Sequence, residues 1–340
     1  SNLQLSFSPQ FVDMPECNGS IGSTDFKMRG RMENFLGYYL SEDGVMKGNM
    51  HFASNKLDAN EFLKEEKEKK SEYVLVPKKI DFTGTVDIKE LLYGKLNIKN
   101  VSGAMNIQDE KLSMKDVQAN LLGGNAKMTA VYNTKGLEKP ITSVNYNIQN
   151  FDIKQTFDYM ESAQRLAPIL NYMTGTLSSE SYLTMQLLPD MGPDLNSLNG
   201  DLSVSIPFTK LVNVPMLNQI AQVTKLSQLQ NLELNNINTK MSFVNGRAII
   251  QPFSTKINNL NLGVQGSQGL DKSLDYQMNI DVPFSQLGNA AGLVNVVVTN
   301  SAGSGTLNNG YRYMSPATAT KSFSPNSVAL GLGSTLTITL

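Results

Sequence analysis

The chain has 340 residues, 40% of them hydrophobic, and a formal net charge of −1. That is enough apolar material for two domains or for one long β-rich body. The balanced charge, with no Lys/Arg stripe, excludes the basic footprint of a nucleic-acid binder, and a single cysteine, Cys17, excludes an internal disulfide. Charged residues make up 17%. Asn, Ser, Thr and Gln fill many of the other polar positions, which suits strands with a neutral outward face.

Residues 1–79 read as an N-terminal β segment of short alternating runs such as Asp25-Phe26-Lys27-Met28-Arg29, punctuated by glycines. The chain opens inside strand-like sequence (Leu3, Leu5, Phe7), with no signal peptide and no 18-residue apolar run. This predicts a piece of a longer protein, in which any membrane anchor upstream would lie outside the given sequence. Asp58 and Glu61 have capping-box spacing and predict a short helix. That helix leads into the charged run Lys64–Lys70, read as a solvated helix end or loop.

Residues 80–206 read as a first β unit, with turns at Asp109-Glu110-Lys111 and Gly123-Gly124. It contains a helix over about 153–173, started by Asp152 with Gln155 three residues on. The helix carries Ile153, Phe157, Met160, Ala167 and Leu170 on one face and is interrupted at Pro168. Strands return over Gly175–Ile206. Residues 207–298 read as a helix over about 208–230 followed by a second β unit. In that helix Leu217, Ile220, Val223, Leu226 and Leu229 fall every third residue, and Pro215 suits the first turn. The second unit starts at Leu232, has a type I′ hairpin signal at Asn245-Gly246 and closes over Leu274–Pro283, with a short helix near Ser285–Leu287. Residues 299–340 form a Gly/Ser/Thr-rich tail, mostly loop over Ser301–Asn326, with a terminal strand within Val328–Leu340.

The two β units share a pattern. Hydrophobes at Leu96, Ile98, Val101, Met105, Ile107, Leu112, Met114, Val117, Leu121, Ala126 and Met128 recur after a shift of 136 positions, which takes Met105 to Met241. The shifted series runs from Leu232 and Leu234 through Phe253 and Ile257 to Leu262 and Val264. Few of the residues are identical, so what repeats is a supersecondary unit. The fold class that follows is mainly β (α+β). It is an elongated, curved antiparallel sheet built from repeated β units, with two principal amphipathic helices packed on it.

Catalytic signatures are sparse. His51 is the one histidine, in an alternating run beside Met50 and Phe52, and any Ser-His-Asp or Cys-His arrangement would have to use it. The simpler reading is a strand histidine facing solvent. A zinc site needs several His or Cys ligands, and the chain has one of each. Gly303-Ser304-Gly305 with Gly310 has the wrong spacing for a dinucleotide fingerprint. We therefore expect neither an enzyme nor a bound cofactor or metal. The remaining candidates are the apolar strand faces, Leu96/Ile98, Leu112/Met114, Ala126/Met128, Leu262/Val264 and Met278/Ile280. Either they pack against helices and one another, or part of the sheet forms a trough that covers acyl chains. Burying a sixteen-carbon chain at about 0.8 kcal/mol per CH₂ yields on the order of 12 kcal/mol before ordering costs. Sixteen methionines suit a surface that adapts to varied chains.

Three stretches carry a family likeness. Leu112–Ala126 has a strand, glycine pair and strand, Phe243-Val244-Asn245-Gly246-Arg247-Ala248 is a short hairpin, and Gly266–Pro283 ends a strand in Val282-Pro283. Over about residues 20–290 the chain resembles the AsmA family of bacterial envelope proteins, especially the long AsmA-like proteins of Bacteroidetes. The resemblance implies a periplasmic body anchored to the inner membrane by an upstream helix. It also implies a β groove for phospholipid, as in the chorein-type bridge proteins, and a role in outer-membrane biogenesis. Phospholipid or another acyl lipid is then the expected partner. The rival expectation is a periplasmic scaffold or assembly factor for outer-membrane proteins, with envelope proteins as partners. A hydrolase acting on envelope glycans is the third, disfavoured by the scarcity of His and Cys and the absence of Trp.

Overall fold

Alternating apolar and polar residues become strands here because a pleated ribbon sends every second side chain to one face. The computed structural model describes residues 2–63, 72–215, 218, 231–257, 260–269, 273–281, 293–300, 303–312, 328–329 and 335–339. The fold is mainly β, with little helix. It divides into two units, Ser1–Phe151 with Glu180–Leu198, and Asp152–Ser179 with Asn199–Leu340.

The first unit begins with β1 (Asn2–Phe7), β2 (Phe11–Ile21), β3 (Thr24–Glu33), α1 (Phe35–Leu40), β4 (Met46–Asp58) and α2 (Asn60–Leu63). It continues with β5 (Ile80–Tyr93), β6 (Leu96–Gln108), β7 (Lys111–Leu121), β8 (Gly124–Asn133) and β9 (Ile141–Asp152). Hydrogen-bonded order follows chain order from β1 to β9. The pairs are antiparallel except one. β4 and β5 run parallel, Met46 opposite Ile80 through Asp58 opposite Leu92, the one exception among these pairs to the antiparallel sheet expected from the sequence. A parallel neighbour needs a return connection instead of a tight turn, and residues 59–79 lie between these two strands. Glu61, expected to close a capping box, instead accepts from the Ser23 backbone N–H at 2.9 Å and from the Thr24 hydroxyl at 3.2 Å, tying α2 to the β2–β3 turn.

The second unit opens with helix. Asp152 caps it as expected, its carboxylate accepting from the Gln155 backbone N–H at 2.8 Å. The single helix expected over 153–173 is three pieces, α3 (Ile153–Tyr159), α4 (Glu161–Leu166) and a 3₁₀ turn (Pro168–Tyr172). Pro168 accounts for the second break, because it drives Ala167 out of the helical region to φ −141, ψ 65. β10 (Thr176–Leu187) and β11 (Pro193–Val212) contribute residues to both units.

The helix expected over 208–230 does not include its first residues, which belong to β11. Thr209 and Leu211 are buried while Phe208, Lys210 and Val212 are exposed. That period of two is set by pairing with β12 (Asn231–Val244), where Thr209 faces Leu234 and Leu211 faces Leu232. Pro215 and Asn218 are helical. The rest of that expectation, the charged run 64–70 and the short helix near 285–287 lie outside the described residues.

β13 (Arg247–Ile257), β14 (Leu260–Gln268), β15 (Leu274–Asp281) and β18 (Val328–Ala329) follow β12 in sheet order. β16 (Leu293–Asn300) lies between β17 (Gly303–Arg312) and β19 (Thr335–Thr339) in a separate sheet. β17 replaces part of the loop expected over 301–326. The apolar run of β16 gives it a partner, with Val297 opposite Thr306 and Val296 opposite Leu307.

β6, β7 and β8 coincide with β12, β13 and β14 after the shift of 136, to within one residue at each end. Irregularities coincide as well. Asn100 (φ 52) matches Asn236 (φ 53), and the register shift between Met114 and Val117 matches that between Ile250 and Phe253. The turn Asp109-Glu110 (φ 54, 59) matches Asn245-Gly246 (φ 49, 76), with both central residues left-handed as a type I′ turn requires. Glu110 therefore sits where the other copy has glycine. Glu110→Gly should stabilise the protein by about 0.5–1 kcal/mol, the left-handed penalty less the added chain entropy. The gain would be read as a higher urea midpoint at unchanged slope.

Candidate functional site

Strand register places the apolar residues of the first unit on one face. One transverse row runs Met14, Gly30, Met50, Gly84, Met105, Met114, Ala130, Val144 across β2 to β9, each residue directly opposite the next. A second runs Val12, Met32, Gly48, Phe82, Ile107, Leu112, Tyr132, Thr142. A third runs Leu3, Cys17, Met28, Phe52, Val86, Gly103. None of these rows contains a charged residue. The opposite face reads Asn18, Lys27, Ala53, Asp87, Ser102, Gln118, Lys127, Asn147.

Bulges preserve this separation. A one-residue slip would send the rest of a strand to the wrong face. Asp116 (φ 51) supplies an extra residue between Met114 and Val117, so Val117 still faces Met128. At Asn100 (φ 52) β6 does the same. Lys99 and Ser102 both pair with polar-face residues, Asn120 and Gln118, so Ile98 stays on the apolar side.

Glycines in the rows give larger neighbours room to lie across the sheet. A Cβ on Gly48 would come within 2.9 Å of the Phe82 ring, and one on Gly84 within 2.9 Å of Met105 Cγ. Met14, Met28, Met50, Phe52, Phe82, Met105, Met114 and Met128 are all half-buried. A second layer packed over them would bury them, as buried core residues usually are.

Six of the sequence-predicted residues lie on this face. Leu96 faces Tyr93 and Ile98 faces Leu91. Leu112 lies between Ile107 and Tyr132, and Met114 between Met105 and Ala130. Ala126 lies between Ala119 and Ile148, and Met128 between Val117 and Tyr146. All six are half-buried. The other four lie on neighbouring strands of the second unit, Leu262 opposite Ile280 and Val264 opposite Met278 in register. There Leu262 is only 9% exposed, and Leu232, Leu234, Ile237 and Phe243 of β12 are buried. The sequence reading missed the contribution of β2 to β5. Its signal was present in Phe26/Met28 and Met50/Phe52, but those runs have no counterpart in the 136-residue repeat.

The polar face holds His51 and Asp25. His51 Nδ1 lies 2.9 Å from Thr85 Oγ1, while its Nε2 is 4.0 Å from Asp87 Oδ2, beyond hydrogen-bond range. Burial resists ionisation of Asp25. The backbone N–H groups of Lys56 and Asn55, with the side chains of Asn55 and Ser54, outweigh it and hold the carboxyl below its ordinary value. A depressed carboxyl stabilises the fold above its ordinary pKa and loses that contribution on protonation. The β3–β4 region should therefore weaken as pH falls below about 4. Asp25→Asn should flatten the acid limb of a stability-versus-pH curve. An unchanged limb would mean that the hydrogen bonds do not favour the ionised form.

Among the described residues no group of three or more His, Cys, Asp or Glu could hold a metal ion, and no helix is long and apolar enough to cross a membrane. Compared with family models, curated proteins and solved structures, the chain matches none.

Proposed function

We propose that this protein is a non-catalytic lipid handler of the AsmA type, holding or conducting phospholipid along an apolar β groove in outer-membrane biogenesis. The observation that carries this reading is the apolar, charge-free, half-buried face of β2 to β8. A face of this extent, wider than the scattered apolar surface of ordinary proteins, needs a cover. Acyl chains can supply one while their head groups remain in water. The methionine and glycine rows favour lipid further. Unbranched, polarisable side chains over gaps adapt to chains of different length and saturation.

On this reading the 136-residue repeat gives each unit an apolar sheet face of the same kind, with no new chemistry. On the same reading the protein works in the periplasm, anchored to the inner membrane. Its partners are phospholipid or another acyl lipid, and envelope proteins at its ends. No bond is broken, so no cofactor is required.

Mass spectrometry of organic extracts from gently purified protein tests this. Stoichiometric phospholipid is the expected result. Lipid-free protein that also takes up no labelled phospholipid would overturn the reading. The scaffold alternative would then lead, for which the exposed Leu36, Tyr39 and Leu40 of α1 offer a contact surface.

A further inference from the structure

The chain before β5 returns to the sheet in an unexpected place. Lys79 accepts through its backbone carbonyl from the Met46 N–H at the start of β4, at 2.9 Å. A few residues earlier, the Val76 N–H donates to Thr134 Oγ1 at 3.1 Å, and the Tyr132 hydroxyl donates to the Val74 carbonyl at 2.7 Å, both at the end of β8. β4 and β8 are four strand positions apart, which is about 19 Å at ~4.8 Å per strand. Val74 to Lys79 reaches about 18 Å when extended. The segment therefore runs nearly straight, at right angles to the strands, past the ends of β5, β6 and β7.

The side of the sheet is fixed by Tyr132. This residue belongs to the apolar row that includes Phe82, Ile107 and Leu112, and it is 6% exposed. Val76 is buried against this end, whereas Val74 and Leu75 are 42% and 63% exposed. Thr134 is itself fixed, its N–H and hydroxyl both donating to the Glu110 carbonyl at 3.0 Å. Two hydrogen bonds, those of Val76 and Val74, hold the middle of the segment to the end of β8.

Resting on the lipid reading above, we infer that residues 72–79 are a strap across one rim of the apolar face, latched by Tyr132 and Thr134, whose release admits acyl chains at that rim. Latched, the strap puts backbone and apolar side chains over the row that contains Tyr132. Unlatched, it exposes that row to an entering chain. Tyr132 and Thr134 are positioning residues. They act through the strap and need not touch lipid.

The test compares the wild-type chain with Tyr132→Phe/Thr134→Val, and with Tyr132→Phe alone as the milder variant. Two quantities are measured, hydrogen exchange at the Val76 amide and the rate at which fluorescent phosphatidylethanolamine is taken up from vesicles. Loss of the latch should speed Val76 exchange about tenfold. Lipid uptake should accelerate several-fold. Faster exchange with unchanged uptake would overturn the strap as a gate while leaving the lipid reading intact. Unchanged exchange would show that these bonds are not the latch, which also overturns it. Absence of uptake by wild type and variants alike would remove both the gate and the lipid reading.

Discussion

Met114→Asp should lower the affinity for phospholipid on the order of 100-fold, while Thr129→Asp should change it less than about twofold. Met114 lies mid-row between Met105 and Ala130 on the apolar face. Thr129 is exposed on the polar face, opposite Asn145. A bound acyl chain would cover the new carboxylate at position 114 and strip its water. The uncompensated loss is about 3 kcal/mol, because the group can protonate or tilt toward the rim and so avoid the full burial cost. No such penalty arises at position 129. Titration with labelled phospholipid reads both constants, and urea unfolding checks that both proteins fold. Equal effects at the two positions would remove the apolar face as the lipid surface. This variant also separates the two principal readings, since a scaffold that binds through strand edges or α1 would not distinguish one sheet face from the other.

Gly30→Val should cost about 3 kcal/mol or more of stability, far more than substitution at most other glycines. A Cβ there would stand 2.4 Å from the Asn49 carbonyl oxygen and 3.1 Å from Met50 Cα, both backbone atoms of β4. Backbone cannot rotate away, so β3 and β4 must separate and lose their pairing. Gly84 faces only the Met105 side chain, which can swing aside, so valine there should cost less; Gly48 meets the Arg31 carbonyl oxygen as well as the Phe82 ring, both at 2.9 Å, and should fall between. Gly94 has nothing within 4 Å of a Cβ but sits at φ +58, and Gly94→Ala should cost only the left-handed penalty of about 1 kcal/mol. Chemical denaturation of the four variants gives the ranking. A Gly30→Val protein as stable as Gly94→Ala would contradict the close approach of β3 to β4.

Both experiments rest on a face that was only partly visible in the sequence. Period-two alternation identified β6, β7 and β8, and the 136-residue shift found their counterparts with strand limits nearly intact. Asn245-Gly246 and the Asp152 cap were legible because each acts within a few residues, through turn geometry or a single side-chain bond. Other features were less legible. Alternation showed that Phe26, Met28, Met50 and Phe52 share a face within their own strands. Their alignment with Val86 and Met105 follows from pairing across the sheet.

Local pattern leaves two further features open to a different reading. Asn100 and Asp116 disturb the period of two, and only the cross-strand register shows that they are bulges holding the apolar face together. The stretch 208–212 read as helix because Leu217 and the apolar residues after it recur every third position. Its pairing with β12, some twenty residues downstream, overrides that local pattern.

The sequence by itself determined that this is a β protein, that one hairpin pattern occurs twice, and that its strands have one greasy and one polar side. Those properties depend on neighbours in the chain. Only the tertiary structure decided that β4 and β5 run parallel, that the strap 72–79 returns to Tyr132 on β8, and that the predicted residues in the first unit stay half-buried while Leu262 in the second is buried. These depend on which distant strands meet and on what covers them. Strand pairing uses backbone groups common to nearly every residue, so a single sequence carries little record of the partner chosen.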